Sequence, residues 1–251
     1  MKTALITGTT SGFGREIALR LAKLGYQVII TGRRKELLNS LEQEIKEKYS
    51  VPVLSLCFDV RNNQQCKENL ESLPSEFQNI DLLVNNAGLA AGASPFNESN
   101  LDDFERMIDT NVKGLLYISK LIVPGMIKNQ SGHIVNISSI AGIEVYPGGH
   151  VYCATKHAVN ALTKGMRIDL VKHGIRVSSI SPGMAETEFS LVRYHGDAEK
   201  AKNVYKGLEP LHAEDIADAL EFIVTRAPHV MINDIQINPT QQANTYISHR
   251  K

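Results

Sequence analysis

Thr7-Gly8-Thr9-Thr10-Ser11-Gly12-Phe13-Gly14 follows a short apolar run over residues 3–7 and opens an amphipathic segment. That segment carries Ile17, Ala18, Leu21, Ala22 and Leu24 at helical spacing and stops at Gly25. The stretch is therefore a glycine-rich turn leading from a first strand into a first helix. Residues without a Cβ let the backbone lie close to a pyrophosphate, and the unpaired N–H groups of a helix N-terminus attract its charge. The spacing is G-x-x-x-G-x-G, and a tight turn without a ligand gives the same letters. Its position after the strand that starts the chain favours the dinucleotide reading.

Beyond this stretch, strand-like runs recur at 26–31, 53–58, 81–84, 132–137, 176–181 and 231–237. Helical patterns lie between them at 34–49, 63–73, 101–123, a segment holding Tyr152 and running to 173, and 213–226. Pro124-Gly125 is read as the end of the long fourth helix, and Gly174 as the cap of the fifth. Nearly all-apolar strands alternating with helices predict a parallel sheet covered on both faces. Nothing resembles a linker or a repeat. The expected fold is α/β: one Rossmann-type doubly wound domain over residues 1–251, with about seven parallel strands.

Composition narrows the function. Lys+Arg 27 and Asp+Glu 27 cancel, which argues against a nucleic-acid footprint or a polybasic membrane surface. No apolar run reaches the length of a bilayer span, and Met1-Lys2-Thr3 shows no signal-peptide pattern. Cys57, Cys66 and Cys153 are odd in number and widely spaced, as in a reducing, cytoplasmic setting. The eight histidines are scattered without metal-ligand spacing, so no metal site is expected. A G-x-S-x-G nucleophile elbow is absent.

The chemistry-bearing stretch is Tyr152-Cys153-Ala154-Thr155-Lys156, with Ser139 thirteen residues ahead of Tyr152. Four residues apart on a helix, Tyr152 and Lys156 share a face. A phenol titrates near 10 in water, and a neighbouring ammonium favours its ionised form, so the pair reads as a general acid/base. Ser139 would hold and polarise a carbonyl oxygen. The set lacks an electron acceptor, and the end of the second strand indicates which one. Gly32-Arg33-Arg34-Lys35 offers cations and no acid before Glu36. An acid there serves a ribose 2′-OH, whereas Arg33 and Arg34 suit a 2′-phosphate. Cations at a helix start oppose the macrodipole, which points to a bound anion and hence NADP; a solvated basic turn is the plainer alternative. Asp59, with Val60 beside it, is placed to accept from the adenine amino group or to cap the next helix. Asn85-Asn86-Ala87-Gly88 falls at the switch point of the sheet, where small residues admit a ligand, though it is also ordinary turn chemistry.

Taken together, these motifs resemble the short-chain dehydrogenase/reductase family over essentially the whole chain. The matching positions are Thr7-Gly8-x-x-x-Gly12-x-Gly14, Asn85-Asn86-Ala87-Gly88, Asn111, Ser139, Tyr152-x-x-x-Lys156 and Pro182-Gly183-x-x-x-Thr187. The resemblance implies that Tyr152 exchanges the proton, with its pKa lowered by Lys156, which also holds the nicotinamide ribose. It implies that Ser139 rather than Ser138 orients the substrate oxygen. Asn111 would hold a water linking Lys156 to solvent, and Pro182, Gly183 and Thr187 would pack on the nicotinamide. Thr9, Thr10, Ser11 and Phe13 complete the cofactor turn, with Asn86, Ala87 and Gly88 opposite. Residues 184–208 have the composition of a closing lid. Within them, Glu188-Phe189-Ser190-Leu191-Val192-Arg193 and Gly196-Asp197 resemble the NADP-dependent serine/3-hydroxy acid dehydrogenase branch. So do Pro228-His229-Val230-x-Ile232-Asn233 and Pro239-Thr240-Gln241 near the C-terminus. On that branch Arg193 would grip a substrate carboxylate. A 3-oxoacyl-carrier or general carbonyl reductase, and a non-catalytic NADP sensor, are the competing expectations. The resemblance also implies a homodimer or homotetramer joined through the helices at 101–123 and 152–173.

Overall fold

The computed structural model describes all 251 residues. Its strands are β1 (Thr3–Ile6), β2 (Gln27–Gly32), β3 (Val53–Cys57), β4 (Leu82–Asn85), β5 (Gly132–Ile137), β6 (Ile175–Pro182) and β7 (Asp234–Ile237). All pair in parallel in the order β3-β2-β1-β4-β5-β6-β7, a doubly wound sheet. The helices are α1 (Gly12–Lys23), α2 (Lys35–Tyr49), α3 (Asn63–Glu71), α4 (Leu101–Ile108), α5 (Leu115–Lys128), α6 (His150–Leu170), α7 (Phe189–Arg193), α8 (Ala198–Asn203) and α9 (Ala213–Val224). None is long and apolar enough to cross a membrane.

The two-residue period of a strand explains the layers. Ala4 and Ile6, Val28 and Ile30, and Val135 and Ile137 face α1, α2 and α9 in one core. Leu5, Ile29, Leu83, Ile134 and Val177 face the opposite way, under α3, α5 and α6. Each buried Leu or Ile contributes about 1.5–3 kcal/mol. A one-residue slip would exchange the two faces, so burial on both sides pins the register.

β1 lies between β2 and β4, so the chain leaves β1 in one direction and returns on its other side. The loops after β1 and β4 diverge there, opening a crevice at the carboxyl ends of the strands. The glycine turn follows β1 and the Asn85-Asn86-Ala87-Gly88 turn follows β4.

The structure departs from the sequence reading in the long fourth helix and in the last strand. The long fourth helix does not stop at Pro124; α5 carries Pro124 inside it and runs on to Lys128. Proline removes the hydrogen bond to the Lys120 carbonyl, and both residues lie on the exposed side of α5, where water can replace it. Upstream, α4 and α5 are joined by a π-helical turn, Asp109–Gly114, which holds the buried Asn111. The last strand is also shorter than expected. Its ladder with β6 begins at Ser179↔Asp234, and upstream the Met231 thioether, not a backbone carbonyl, accepts from Val177 N–H at 3.4 Å.

Candidate active site

A cavity of about 500 Å³ occupies the crevice, running from the glycine turn past Lys156 and Tyr152 to residues of α7. This lies within the range of sites for ligands of cofactor or substrate size.

At one end, hydrogen bonds stitch the glycine turn to the β4 turn. Thr7 Oγ1 accepts from the N–H groups of Asn86 and Ala87, each at 3.0 Å. Asn86 Nδ2 donates to the carbonyls of Thr7 and Gly8 at 2.8 and 3.0 Å. Gly8 has φ +72° and lies so near Ala87 that a Cβ would stand 2.9 Å from its Cα. The N-terminus of α1 has no side-chain cap and no acidic residue in its first turn. Its N–H groups are therefore left for an external anion, and Gly12 and Phe13 at that end line the cavity. These residues fit a pyrophosphate.

The two arginines after β2 differ. Arg34 donates to Thr10 Oγ1 at 2.8 and 3.1 Å, to Ser11 Oγ at 2.9 Å and to Glu188 at 2.9 Å, tying the glycine turn to the segment before α7. Arg33 is 57% exposed at its side chain, and its nearest acid, Asp59, stands 3.7 Å away. It is the freer cation for a 2′-phosphate. Asp59 lines the cavity, yet Arg61 engages both its oxygens, at 2.6–3.1 Å. Burial works to raise its carboxyl pKa, and the Arg61 hydrogen bonds outweigh it and hold the pKa below the usual value. The next helix is capped by Asn62, not Asp59. Val60 lines the cavity and packs against Gly114 of the π turn.

Thr9, Gly14 and Asn111, expected to act in the site, lie behind the cavity wall. Thr9 is buried and bonds to the Thr31 carbonyl. Gly14 is buried against Gly8 and Asn86. Asn111 Oδ1 accepts from Leu89 N–H at 2.8 Å, while its Nδ2 donates to the Leu89 carbonyl and to Thr155 Oγ1. That side chain ties the β4 loop to α6.

At the reacting end, α6 presents Tyr152 and Lys156 one turn apart, both buried. Ser139 Oγ caps the short turn Ile140–Gly142 and donates to the Pro182 carbonyl at 3.4 Å. Ser138 turns back to Asn160 Oδ1 at 2.6 Å. Lys156 Nζ donates to the Ile137 carbonyl at 2.9 Å and lies 5.9 Å from the Tyr152 ring centroid. The lowered phenol pKa expected from the spacing is not found in the chain by itself. Burial pushes Tyr152 well above its ordinary value and Tyr146 adds to the rise, with the Ser139 hydroxyl working against it. Burial likewise brings Lys156 down to about 8. Burial thus pushes both groups toward their neutral forms, and Lys156 directs its hydrogen bond to the Ile137 carbonyl rather than to the phenol.

Gly183 lies against Asn238 and Gln242, and Thr187 packs on Gly12. Arg193 lines the cavity with Nε donating to the Gly92 carbonyl at 3.2 Å and Nη1 to Tyr146 Oη at 3.0 Å. Tyr146 also lines it, as do Glu188 and Phe189, to which the sequence assigned no site role. Phe189 meets the Tyr152 ring edge-on at 5.5 Å, Tyr146 accepts from Arg193, and Glu188 pairs with Arg34. An aromatic in Tyr146-Pro147-Gly148-Gly149, just before α6, was the available signal.

The glycine turn, the Ser-Tyr-Lys set and the sheet order together define a dinucleotide-dependent oxidoreductase architecture. The chain belongs to the short-chain dehydrogenase/reductase family, whose short chain dehydrogenase model matches residues 2–196. It is 42% identical over 251 residues to an NADP-dependent 3-hydroxy acid dehydrogenase of Schizosaccharomyces pombe, covering 100% of this chain and 97% of that one. It is 43% identical over 240 residues to sulfoacetaldehyde reductase 2 of Chromohalobacter salexigens, covering 95% and 94%. Among solved structures it resembles the closed form of a serine dehydrogenase complexed with NADP+, with TM-score 0.92 and 43% identity over 99% of this chain and 100% of that one.

Proposed function

We propose that this chain is an NADP-dependent oxidoreductase acting on the hydroxyl or oxo group of a small 3-hydroxy acid such as serine or 3-hydroxypropionate. When bound, NADP supplies the two-electron partner for the carbon-bound hydrogen. Gly8, Thr10, Ser11, Gly12 and Phe13, with Asn86, Ala87 and Gly88, hold its diphosphate half. Arg33 takes the 2′-phosphate, and Arg34 stiffens the turn beneath it. Lys156, Pro182, Gly183 and Thr187 hold the nicotinamide end. Ser139 hydrogen-bonds the substrate oxygen, and Tyr152 Oη takes its proton in oxidation and returns it in reduction. Residues 184–208 close over the site and exclude water.

One observation carries the substrate class: Arg193 faces the cavity beside Tyr152 and Tyr146 with no acidic partner within ion-pair distance. A guanidinium in that position fits a small anion. A sulfonate substrate is the second reading, because a relative 43% identical to this chain is a sulfoacetaldehyde reductase.

The test compares 3-hydroxy acids with their methyl esters and with neutral alcohols, following NADP+ reduction. The acids are expected to exceed the esters by about tenfold or more in kcat/KM. Equal rates on acid and ester would sink the acid reading. For the cofactor, Arg33→Asp is expected to raise the KM for NADPH about tenfold while changing that for NADH little. Equal shifts in the two would overturn the assignment of Arg33.

The assembly we propose is a homo-oligomer joined through α4, α5 and α6. Leu101, Ile168 and Val171 are 72%, 74% and 62% exposed on or beside these helices, more apolar surface than a lone protomer needs there. A cytoplasmic setting accords with three free cysteines.

A further inference from the structure

We propose that Tyr146 forms the second half of the acid-binding seat, donating its phenolic proton to the same substrate carboxylate that Arg193 grips. The inference rests on the 3-hydroxy acid reading and deepens it.

Tyr146 lies in the loop between the turn Ile140–Gly142 and α6, and lines the cavity with Tyr152. Its oxygen accepts from Arg193 Nη1 at 3.0 Å, and its own O–H donates to no protein acceptor. The Arg193 guanidinium lies over the Tyr146 ring, 5.3 Å from the centroid, with Nε committed to the Gly92 carbonyl. Nη2 has no protein acceptor. Uncommitted donors on both residues, the phenolic O–H and the Nη2 N–H groups, thus stand on hydrogen-bonded neighbours beside Tyr152. A carboxylate has two oxygens to receive them.

The phenol is held in its donating form. Burial raises the Tyr146 pKa, outweighing the pull of Arg193 in the other direction. Its ring is also fixed. It packs with the cluster of Leu89, Ala141, Tyr152 and Cys153, and lies so close over Gly149 that a Cβ there would overlap it. Arg193, by contrast, comes from α7, inside the segment expected to close. An acid held by both residues bridges a rigid loop to that segment, so the acid end of the substrate is read from the fixed side as well as from the closing side. A neutral ester offers no charge to hold the two together.

The experiment measures steady-state kinetics of Tyr146→Phe on a 3-hydroxy acid and on its methyl ester, with NADPH affinity followed by fluorescence. The expected result is a KM for the acid raised about 10- to 100-fold. The KM for the ester and the Kd for NADPH should stay within about threefold. A wild-type enzyme that does not prefer the acid would remove the substrate reading itself. A wild-type enzyme that prefers it, with Tyr146→Phe keeping the same acid-to-ester ratio, would overturn the role of Tyr146 alone. So would an equal loss on acid and ester, which marks general misplacement of the loop. If Tyr146→Phe fails to bind NADPH, Tyr146→Met, which fills the space without a donor, is read by the same ratio.

Discussion

Tyr152→Phe is expected to lower kcat about 10²- to 10⁴-fold while leaving the Kd for NADPH within about threefold. The substitution deletes one oxygen and keeps the ring that packs edge-on against Phe189 and among Leu89, Ala141 and Cys153. Loss of packing therefore contributes little, and any fall in rate reports the missing proton donor. No other group replaces it easily. Ser139 Oγ is engaged with Pro182 and Ala141, and Lys156 Nζ points its hydrogen bond at the Ile137 carbonyl. Burial holds the phenol protonated in the chain alone, which suits an acid that gives its proton to a developing alkoxide. Turnover and fluorescence titration on the same preparation check the point. A variant that binds NADPH and keeps wild-type turnover would overturn the mechanism.

Much of this was legible from local pattern. β1, β2, β4 and β5 were readable because strands buried on both faces write themselves as short, largely apolar runs, whereas the half-exposed β7 was read too long. The glycine turn was readable because its place between strand and helix is a local fact. Ser139, Tyr152 and Lys156 were readable because their spacing along the chain is preserved wherever the helix starts. What escaped depends on contacts between distant residues. Pro124 stops a helix in isolation, but α5 continues because the carbonyl it leaves unpaired faces water. Asp59 looked free until Arg61 closed on it. The direction of the Tyr152 shift could not be read from spacing at all, since it is set first by depth of burial and then by Tyr146, which packs beside it only in the fold. Tyr146 escaped for a related reason: a lone aromatic before a helix acquires meaning only when Arg193, 47 residues later, lies across its ring.

Gly14 shows how closely the cofactor end depends on backbone proximity, and Gly14→Ala is the second large effect expected. A Cβ at this position would overlap the Gly8 carbonyl oxygen and Asn86 Nδ2. Neither can yield cheaply. Gly8 is held at φ +72° beside Ala87, and Asn86 Nδ2 already bridges the Thr7 and Gly8 carbonyls at 2.8 and 3.0 Å. Relief must come from moving α1 away from the turn, which also displaces the N–H groups that meet the pyrophosphate. Overpacking of this kind costs about 1–3 kcal/mol, or a drop in Tm of roughly 2–12 °C for a chain of this size. NADPH affinity should fall by more than about tenfold, because the donors lost are those left free at the end of α1. Thermal unfolding with and without NADPH separates the two effects: stability without ligand reports the overlap, and the lost shift on adding NADPH reports the donors. An alanine variant with wild-type Tm and an undiminished NADPH shift would mean that α1 and the turn are not held together by this contact.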